Sequence, residues 1–351
     1  MNGPTGLGTS AARLRPPGAS AAAGGRTGAL PVPPLHCPDV LRDDPALGAE
    51  VNDRLVDWAE EVGIHAGRLD SLRVTDFGRL MMLAHPGTDD PDLLRAIGRC
   101  TVAAWTADDY YCDDRGAGAV PELAAARMAI AATVLDPASF PAAYAPDLRR
   151  AIRSDPVLVA LRSAREHLGR YATPTQVARA CREQLSMFQA ASAEAVWRCT
   201  GRTPSVWEYL VNRQMGSQAP ILALVDAGEC YRLPTRAYTD PQVRRAFLKA
   251  ALASALVNDL YSMARENAGP DQDFNLPVVI AAEDGCTLAE ALARSAAVHD
   301  ELMRDFEASA ASLSRLGPPE LARFLAGVHA WLAGNRAWHA GSARYATTPA
   351  Y

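Results

Sequence analysis

Asn258, Ser262 and Glu266 recur at four-residue intervals. On an α-helix turning about 100° per residue, three such positions fall within an arc of roughly 80°. An amide carbonyl, a hydroxyl and a carboxylate on one helix face suit a hard, oxygen-seeking cation such as Mg2+, which keeps several waters and is completed by substrate phosphates. Zinc would call for His or Cys. A second acidic stretch, Asp108-Asp109-Tyr110-Tyr111-Cys112-Asp113-Asp114, lies about 150 residues earlier and ends the apolar run 93–105. Alone, such a cluster is a solvated helix end whose carboxylates repel one another. Together the two clusters have the makings of an inter-helix metal site, each on its own helix and facing the other across a bundle.

The elements that must hold these groups are helices. Runs 47–62, 93–110, 121–134, 148–171, 174–200 and 206–227 carry apolar residues at three- and four-residue spacing, the mark of an amphipathic helix. Further helices are expected over 241–267, 287–316 and 318–339, with Asp240-Pro241, Thr287 and Pro318-Pro319 as start signals. The short β-branched run Val278-Val279-Ile280 leads at once into Ala281-Ala282-Glu283 and reads as helix. About ten helices with short connections predict an all-α single domain over residues 36–345. Residues 1–35, rich in Gly, Ala, Pro and Ser, read as a disordered tail, and 346–351 as a short C-terminal tail. The polar loop 267–275 directly follows Glu266 and could order when metal and diphosphate arrive.

Composition narrows the classes of function. A chain of 351 residues with 49% hydrophobic content can bury a large core. A net charge of -5 without a basic stripe excludes a nucleic-acid partner. No apolar run reaches the ~18 residues of a membrane span, and the first 35 residues lack a secretory core. Seven cysteines without metal spacing or an even count point to a reducing cytoplasm; Cys112, inside the acidic motif, reads as a packing residue.

On these motifs the chain resembles a bacterial class I terpene cyclase. The first stretch is similar to that family's aspartate-rich motif, and the second matches its Asn-Asp-x-x-Ser-x-x-x-Glu metal motif. Arg213, in Trp207-Glu208-Tyr209-Leu210-Val211-Asn212-Arg213 and 45 residues before Asn258, stands about where the family keeps its diphosphate-sensing arginine. Arg344-Tyr345, preceded by Asn335 and Trp338, looks like the terminal pair that closes over the diphosphate. The wording Trp105-Thr106-Ala107-Asp108-Asp109-Tyr110-Tyr111-Cys112-Asp113-Asp114, the Pro/Ala-rich N-terminus and Thr203-Pro204-Ser205-Val206-Trp207-Glu208-Tyr209-Leu210 are similar to the branch of 2-methylisoborneol and 2-methylenebornane synthases. One departure stands out: Gln214-Met215 separates Arg213 from Gly216-Ser217, where the family often has a small polar residue and then glycine.

The resemblance implies a helical bundle with a central active-site cavity and three Mg2+ ions. Asn258, Ser262 and Glu266 would hold one ion. Asp108 is the first choice of ligand for the others, with Asp109, Asp113 or Asp114 as ligands or as partners of residues such as Arg213. Arg213, Arg344 and Tyr345 would engage the diphosphate. The substrate implied is 2-methylgeranyl diphosphate, cyclised to a C11 bornane-type product. Oligomeric state is left open, although helical cyclases of this family are often homodimers.

After diphosphate leaves, an allylic cation needs an apolar cavity with aromatic faces. Phe77, Trp105, Tyr110, Trp331 and Trp338 are the candidates, against the plain alternative that each is core. Arg265, one residue before Glu266, could reach a phosphate oxygen or be a surface charge. Two rival readings remain at this level: a sesquiterpene cyclase acting on farnesyl diphosphate, and a non-catalytic helical interaction protein whose acidic clusters are solvated helix ends.

Overall fold

The computed structural model describes residues 13–14, 30–113, 118–137, 139–216, 218–266 and 274–342, with the side chains of 13, 14, 113 and 264–266 outside the description. A two-residue strand β1 (Arg13–Leu14) precedes α1 (Pro45–Val62), α2 (Leu69–Thr75), α3 (Phe77–Ala84) and α4 (Pro91–Asp108), which runs into a π-helical turn, Asp109–Asp113. Then come α5 (Pro121–Leu135), α6 (Ala145–Ser154), α7 (Pro156–Leu168), α8 (Pro174–Thr200) and β2 (Arg202–Thr203). The chain continues through α9 (Val206–Gln214) and three single turns, α10 (Ala219–Leu222), α11 (Val225–Gly228) and α12 (Thr235–Tyr238). Four helices complete it: α13 (Pro241–Glu266), α14 (Leu276–Asp284), α15 (Leu288–Leu316) and α16 (Pro319–Gly341). The fold is all-α, as expected; β1 pairs with β2 over two residues, Arg13 opposite Thr203.

A recurring dipeptide starts these helices. Asp44-Pro45, Asp90-Pro91, Asp155-Pro156, Thr173-Pro174 and Asp240-Pro241 each place a capping oxygen on the free amides of the first turn. Proline follows where its missing N–H costs no helical bond. The same signature explains a departure from the expected run 148–171, which is two helices divided at Asp155-Pro156. The run 206–227 is likewise divided, into α9, α10 and the start of α11. Helices α2 and α3, absent from the sequence reading, meet at Asp76, whose φ of 59° sets the bend between them.

The core is one large apolar cluster through the bundle, with Trp58, Phe247, Phe324 and Trp331 at most 1% exposed. Two glycines bring α3 close to its neighbours. A Cβ on Gly78 would meet backbone atoms of Gly48 and Asn52 in α1, and one on Gly334 would meet the backbone of Leu83 and Ala84. Helix α3 is therefore wedged between α1 and α16, which fixes Phe77 at its first position. Tyr238 at the end of α12 and Arg244 in the first turn of α13 hydrogen-bond the buried Glu183 of α8.

Leu30, Val32 and Leu35 lie partly buried against Leu260, Met263 and Leu292, and the His36 imidazole pairs with Glu307 at 2.8 Å. The aliphatic side chains at 30, 32 and 35 supply apolar area to bury.

Candidate active site

Helix α13 carries Asn258 and Ser262 one turn apart, Ser262 4% exposed. Residue 259 between them is the structural anchor. Asp259, 1% exposed, receives the Tyr209 hydroxyl of α9 at 2.7 Å and the Leu276 amide at the start of α14 at 3.0 Å. Its second oxygen pairs with Arg213 at 2.6 Å. One carboxylate thus ties three helices together. Burial acts to lower the Arg213 pKa, but Asp259, with Tyr209 and Glu194, together outweigh it and hold the guanidinium firmly cationic. Burial pushes the Asp259 carboxyl up, against Arg213, Tyr209 and the Leu276 amide, which favour its charged form.

Arg213 also donates from Nη2 to the Asn258 side-chain oxygen at 2.9 Å. Arg213 meets Asp259 because α9 packs on α13 and puts the two side chains in reach. Just after Arg213 the helix stops: the amides of Met215 and Gly216 turn back to the carbonyls of Asn212 and Arg213. A Cβ at Gly216 would come within 2.8 Å of the Arg213 carbonyl oxygen. Gly216, three residues after Arg213, therefore sits at the break.

The first acidic stretch lies at the mouth of α4, where the helix widens into the π turn Asp109–Asp113. Such turns cost regular hydrogen bonding and recur at functional sites. One turn before Asp108, Trp105 packs edge-on against Phe77, with centroids 5.0 Å apart, and against Trp338 at 5.6 Å; Phe77 stacks on Trp338 at 5.7 Å. Trp338 is pinned by its indole N–H, which donates to the carbonyls of Thr75 and Asp76 at 3.0 and 2.8 Å. Three of the five aromatic candidates thus form one box. Tyr110 turns elsewhere: its hydroxyl accepts the His65 amide at 3.0 Å, and Arg68 lies 5.5 Å from its ring centre. Trp331 is fully buried two turns before Trp338, in the core.

Helix α16 joins the two halves of the site. Trp338 touches Trp105, beside the first motif, while the next residue, His339, contacts Asn258 in the second, 3.3 Å from ring Nε2 to the amide nitrogen. Sequence reasoning missed Tyr209, Asp259 and His339. Asp259 stood inside the quoted motif, which was its signal; Tyr209 and His339 act across 50 and 81 residues, which no local pattern marks. Arg344, Tyr345 and loop 267–273 lie outside the described residues, as do the side chains of Asp113, Arg265 and Glu266.

The donors described here are oxygens: Asp108, Asp109, the Asn258 carbonyl and the Ser262 hydroxyl. Among the described residues no three His, Cys, Asp or Glu side chains converge on a metal position, consistent with a motif that uses Asn and Ser. This chemistry fits a small hard dication that keeps waters and phosphate oxygens, and does not fit a thiophilic metal.

Comparison with known proteins agrees. The family model described as terpene synthase family 2, C-terminal metal binding, matches residues 99–305, more than half of the chain. The 2-methylisoborneol synthase of Streptomyces ambofaciens is 37% identical over 345 residues, covering 95% of this chain and 77% of that protein. A (+)-T-muurolol synthase of Streptomyces clavuligerus, which cyclises (2E,6E)-farnesyl diphosphate, is 29% identical over 323 residues, covering 89% and 73%. The crystal structure of 2-methylisoborneol synthase from Streptomyces coelicolor A3(2) in complex with Mg2+ and 2-fluoroneryl diphosphate superposes with a TM-score of 0.84 at 34% identity, covering 92% of this chain and 99% of that one.

Proposed function

The chain belongs to terpene synthase family 2 and is a terpene cyclase, and from that premise we propose that it ionises 2-methylgeranyl diphosphate and cyclises it to a C11 bornane-type product. The observation that carries the reading is the meeting of a fixed cation, Arg213, with the Asn258 oxygen on one side and an aromatic box of Phe77, Trp105 and Trp338 across the end of α16. Relatives of 2-methylisoborneol synthase type support the choice of substrate over farnesyl diphosphate, since they match at higher identity than the farnesyl diphosphate cyclase.

Asp108, Asp109, Asp113, Asn258, Ser262 and Glu266 are the residues that would hold Mg2+, which, when bound, neutralises the diphosphate so that it can leave. Arg213 contributes a charge that cannot deprotonate, preset by Asp259 and Asn258, and directs donors to the leaving oxygens. In the proposed reaction the allylic C–O bond breaks and its electron pair departs with the diphosphate. Return of diphosphate gives a linalyl-type isomer, and a second ionisation allows ring closure through a terpinyl-type cation to the bornyl skeleton. The faces and edges of Phe77, Trp105 and Trp338 line the apolar side, where they keep water out and stabilise positive charge. Water capture of the final cation gives 2-methylisoborneol; loss of a proton gives 2-methylenebornane. The described groups support a cytoplasmic enzyme: all seven cysteines are free thiols, and no described helix is long and apolar enough to cross a membrane.

The test is release of inorganic pyrophosphate from 2-methylgeranyl diphosphate with Mg2+ and with excess chelator. Release that requires Mg2+ and falls by about two orders of magnitude in Arg213→Ala supports the reading. Release unaffected by either change contradicts it.

A further inference from the structure

The side-chain amide of Asn258 has two ends, and its neighbours admit one assignment. Arg213 Nη2 lies 2.9 Å from Oδ1. A guanidinium only donates, so that end is the oxygen. The amide nitrogen then faces Nε2 of His339 at 3.3 Å. An amide NH2 only donates, so Nε2 is the unprotonated ring nitrogen. The ring proton therefore sits on Nδ1, where the Asn335 carbonyl oxygen accepts it at 2.8 Å. Each step requires the next, and the chain closes without conflict.

The support beneath this relay is rigid. His339 is 1% exposed and Asn335 is fully buried. The Asn335 amide itself donates to the Ser254 carbonyl and hydroxyl at 3.2 and 2.9 Å, one turn before Asn258 on the same helix. Trp338, alongside, meets the His339 ring edge-on at 4.7 Å.

From this geometry we infer that His339 is a positioning residue, which holds the Asn258 amide with its carbonyl oxygen turned toward the side of Arg213. The inference rests on Asn258 being a metal ligand. A carbonyl oxygen has two lone pairs, so it can accept from Arg213 and still face a cation. With an apolar residue at 339 the amide NH2 loses the His339 acceptor that seats it, and the carbonyl is held less firmly toward the side of Arg213. Partners that orient a ligand in this way govern metal affinity almost as strongly as the ligand. His339 also couples the end of α16 to the metal motif, so the helix that shapes the aromatic box fixes the donor as well.

The test uses the full chain and four variants: Asn258→Ala, His339→Phe, His339→Leu and His339→Gln. Each is titrated with Mg2+ at fixed inorganic pyrophosphate, reading the rise in thermal midpoint, and turnover is followed over the same Mg2+ range. Phe and Leu offer no acceptor, one keeping a ring and the other not, so the result survives if either fails to fold. Gln restores an acceptor oxygen. The expected result is loss of the pyrophosphate-dependent shift in Asn258→Ala, and a Mg2+ requirement raised by about tenfold or more in Phe and Leu. In Gln most of the wild-type Mg2+ response should return. A normal Mg2+ response in Phe and Leu, with Asn258→Ala impaired, overturns the positioning role and leaves the metal site standing. Gln no better than Phe and Leu overturns it too, because packing would then be what matters. A normal response in Asn258→Ala removes Asn258 from the metal site, and the inference goes with it.

Discussion

Arg213 and Asp259 meet at 2.6 Å across the α9–α13 contact, with the carboxylate 1% exposed. The pair fixes Arg213 in place, since a buried charge keeps its place only where its counter-charge is fixed. Asp259→Asn keeps the shape and removes the charge. It should lower stability by about 3–5 kcal/mol, the usual loss when one partner of a buried pair is removed, and reduce turnover. Denaturant unfolding and steady-state kinetics check this; an unchanged unfolding midpoint would remove the pair from its anchoring role.

Gly216 lets the chain leave α9 directly behind Arg213. A methyl there would sit 2.8 Å from the Arg213 carbonyl oxygen, so Gly216→Ala must shift the break and with it the arginine. Small misplacements of a catalytic group are costly. The expected result is kcat lower by one to two orders of magnitude, roughly, with the thermal midpoint little changed. Wild-type kcat in a folded Gly216→Ala protein would show that the break tolerates a side chain.

Much of the scaffold could be read from the chain, because its helix starts are chemical. Asp or Thr followed by Pro announced α8 and α13 to the residue. The same signal at Asp155-Pro156 was available and was overridden by apolar spacing that runs through it. Helices α2 and α3 escaped because they are short and meet at a non-glycine residue with positive φ, Asp76, where local propensity predicts no bend. In the candidate site, the four-residue spacing of Asn258, Ser262 and Glu266 was legible because positions sharing a helix face repeat with its period, and α13 carries all three. Their supports were not. Tyr209 and His339 act through contacts between helices far apart in sequence, and the π turn at Asp109 is a backbone register that side-chain pattern does not reveal.

The pH dependence of stability has a defined sign. Burial holds His85 neutral, with its pKa lowered to about 4, and nearby Arg42 adds to the shift. His167 is lowered to about 4 by burial, with Arg99, Arg95 and Arg170 contributing. Both sit below the unfolded value, so the unfolded chain takes up protons first as pH falls. The neutral imidazoles contribute fully above about pH 6.5, and that stability is lost between about 6.5 and 4. Thermal midpoints measured across this window should fall, and fall less in His85→Gln than in the wild type. Equal slopes in the two proteins would contradict the assignment to His85.

The packing of residues 30–35 predicts a contribution to α13. Leu30, Val32 and Leu35 cover Leu260 and Met263, which flank Ser262 on α13. Replacing all three by Ser should lower turnover and thermal midpoint by removing apolar area buried beside Ser262. Wild-type values in the triple variant would show that this segment does not support α13.

The most direct measurement is gas-chromatographic product analysis after incubation of the purified protein with Mg2+ and, in separate reactions, 2-methylgeranyl, geranyl and farnesyl diphosphates. The account predicts a bornane-type C11 product from 2-methylgeranyl diphosphate, as alcohol if water quenches the last cation and as olefin if a proton is lost. A product formed from farnesyl diphosphate alone would contradict the assigned substrate.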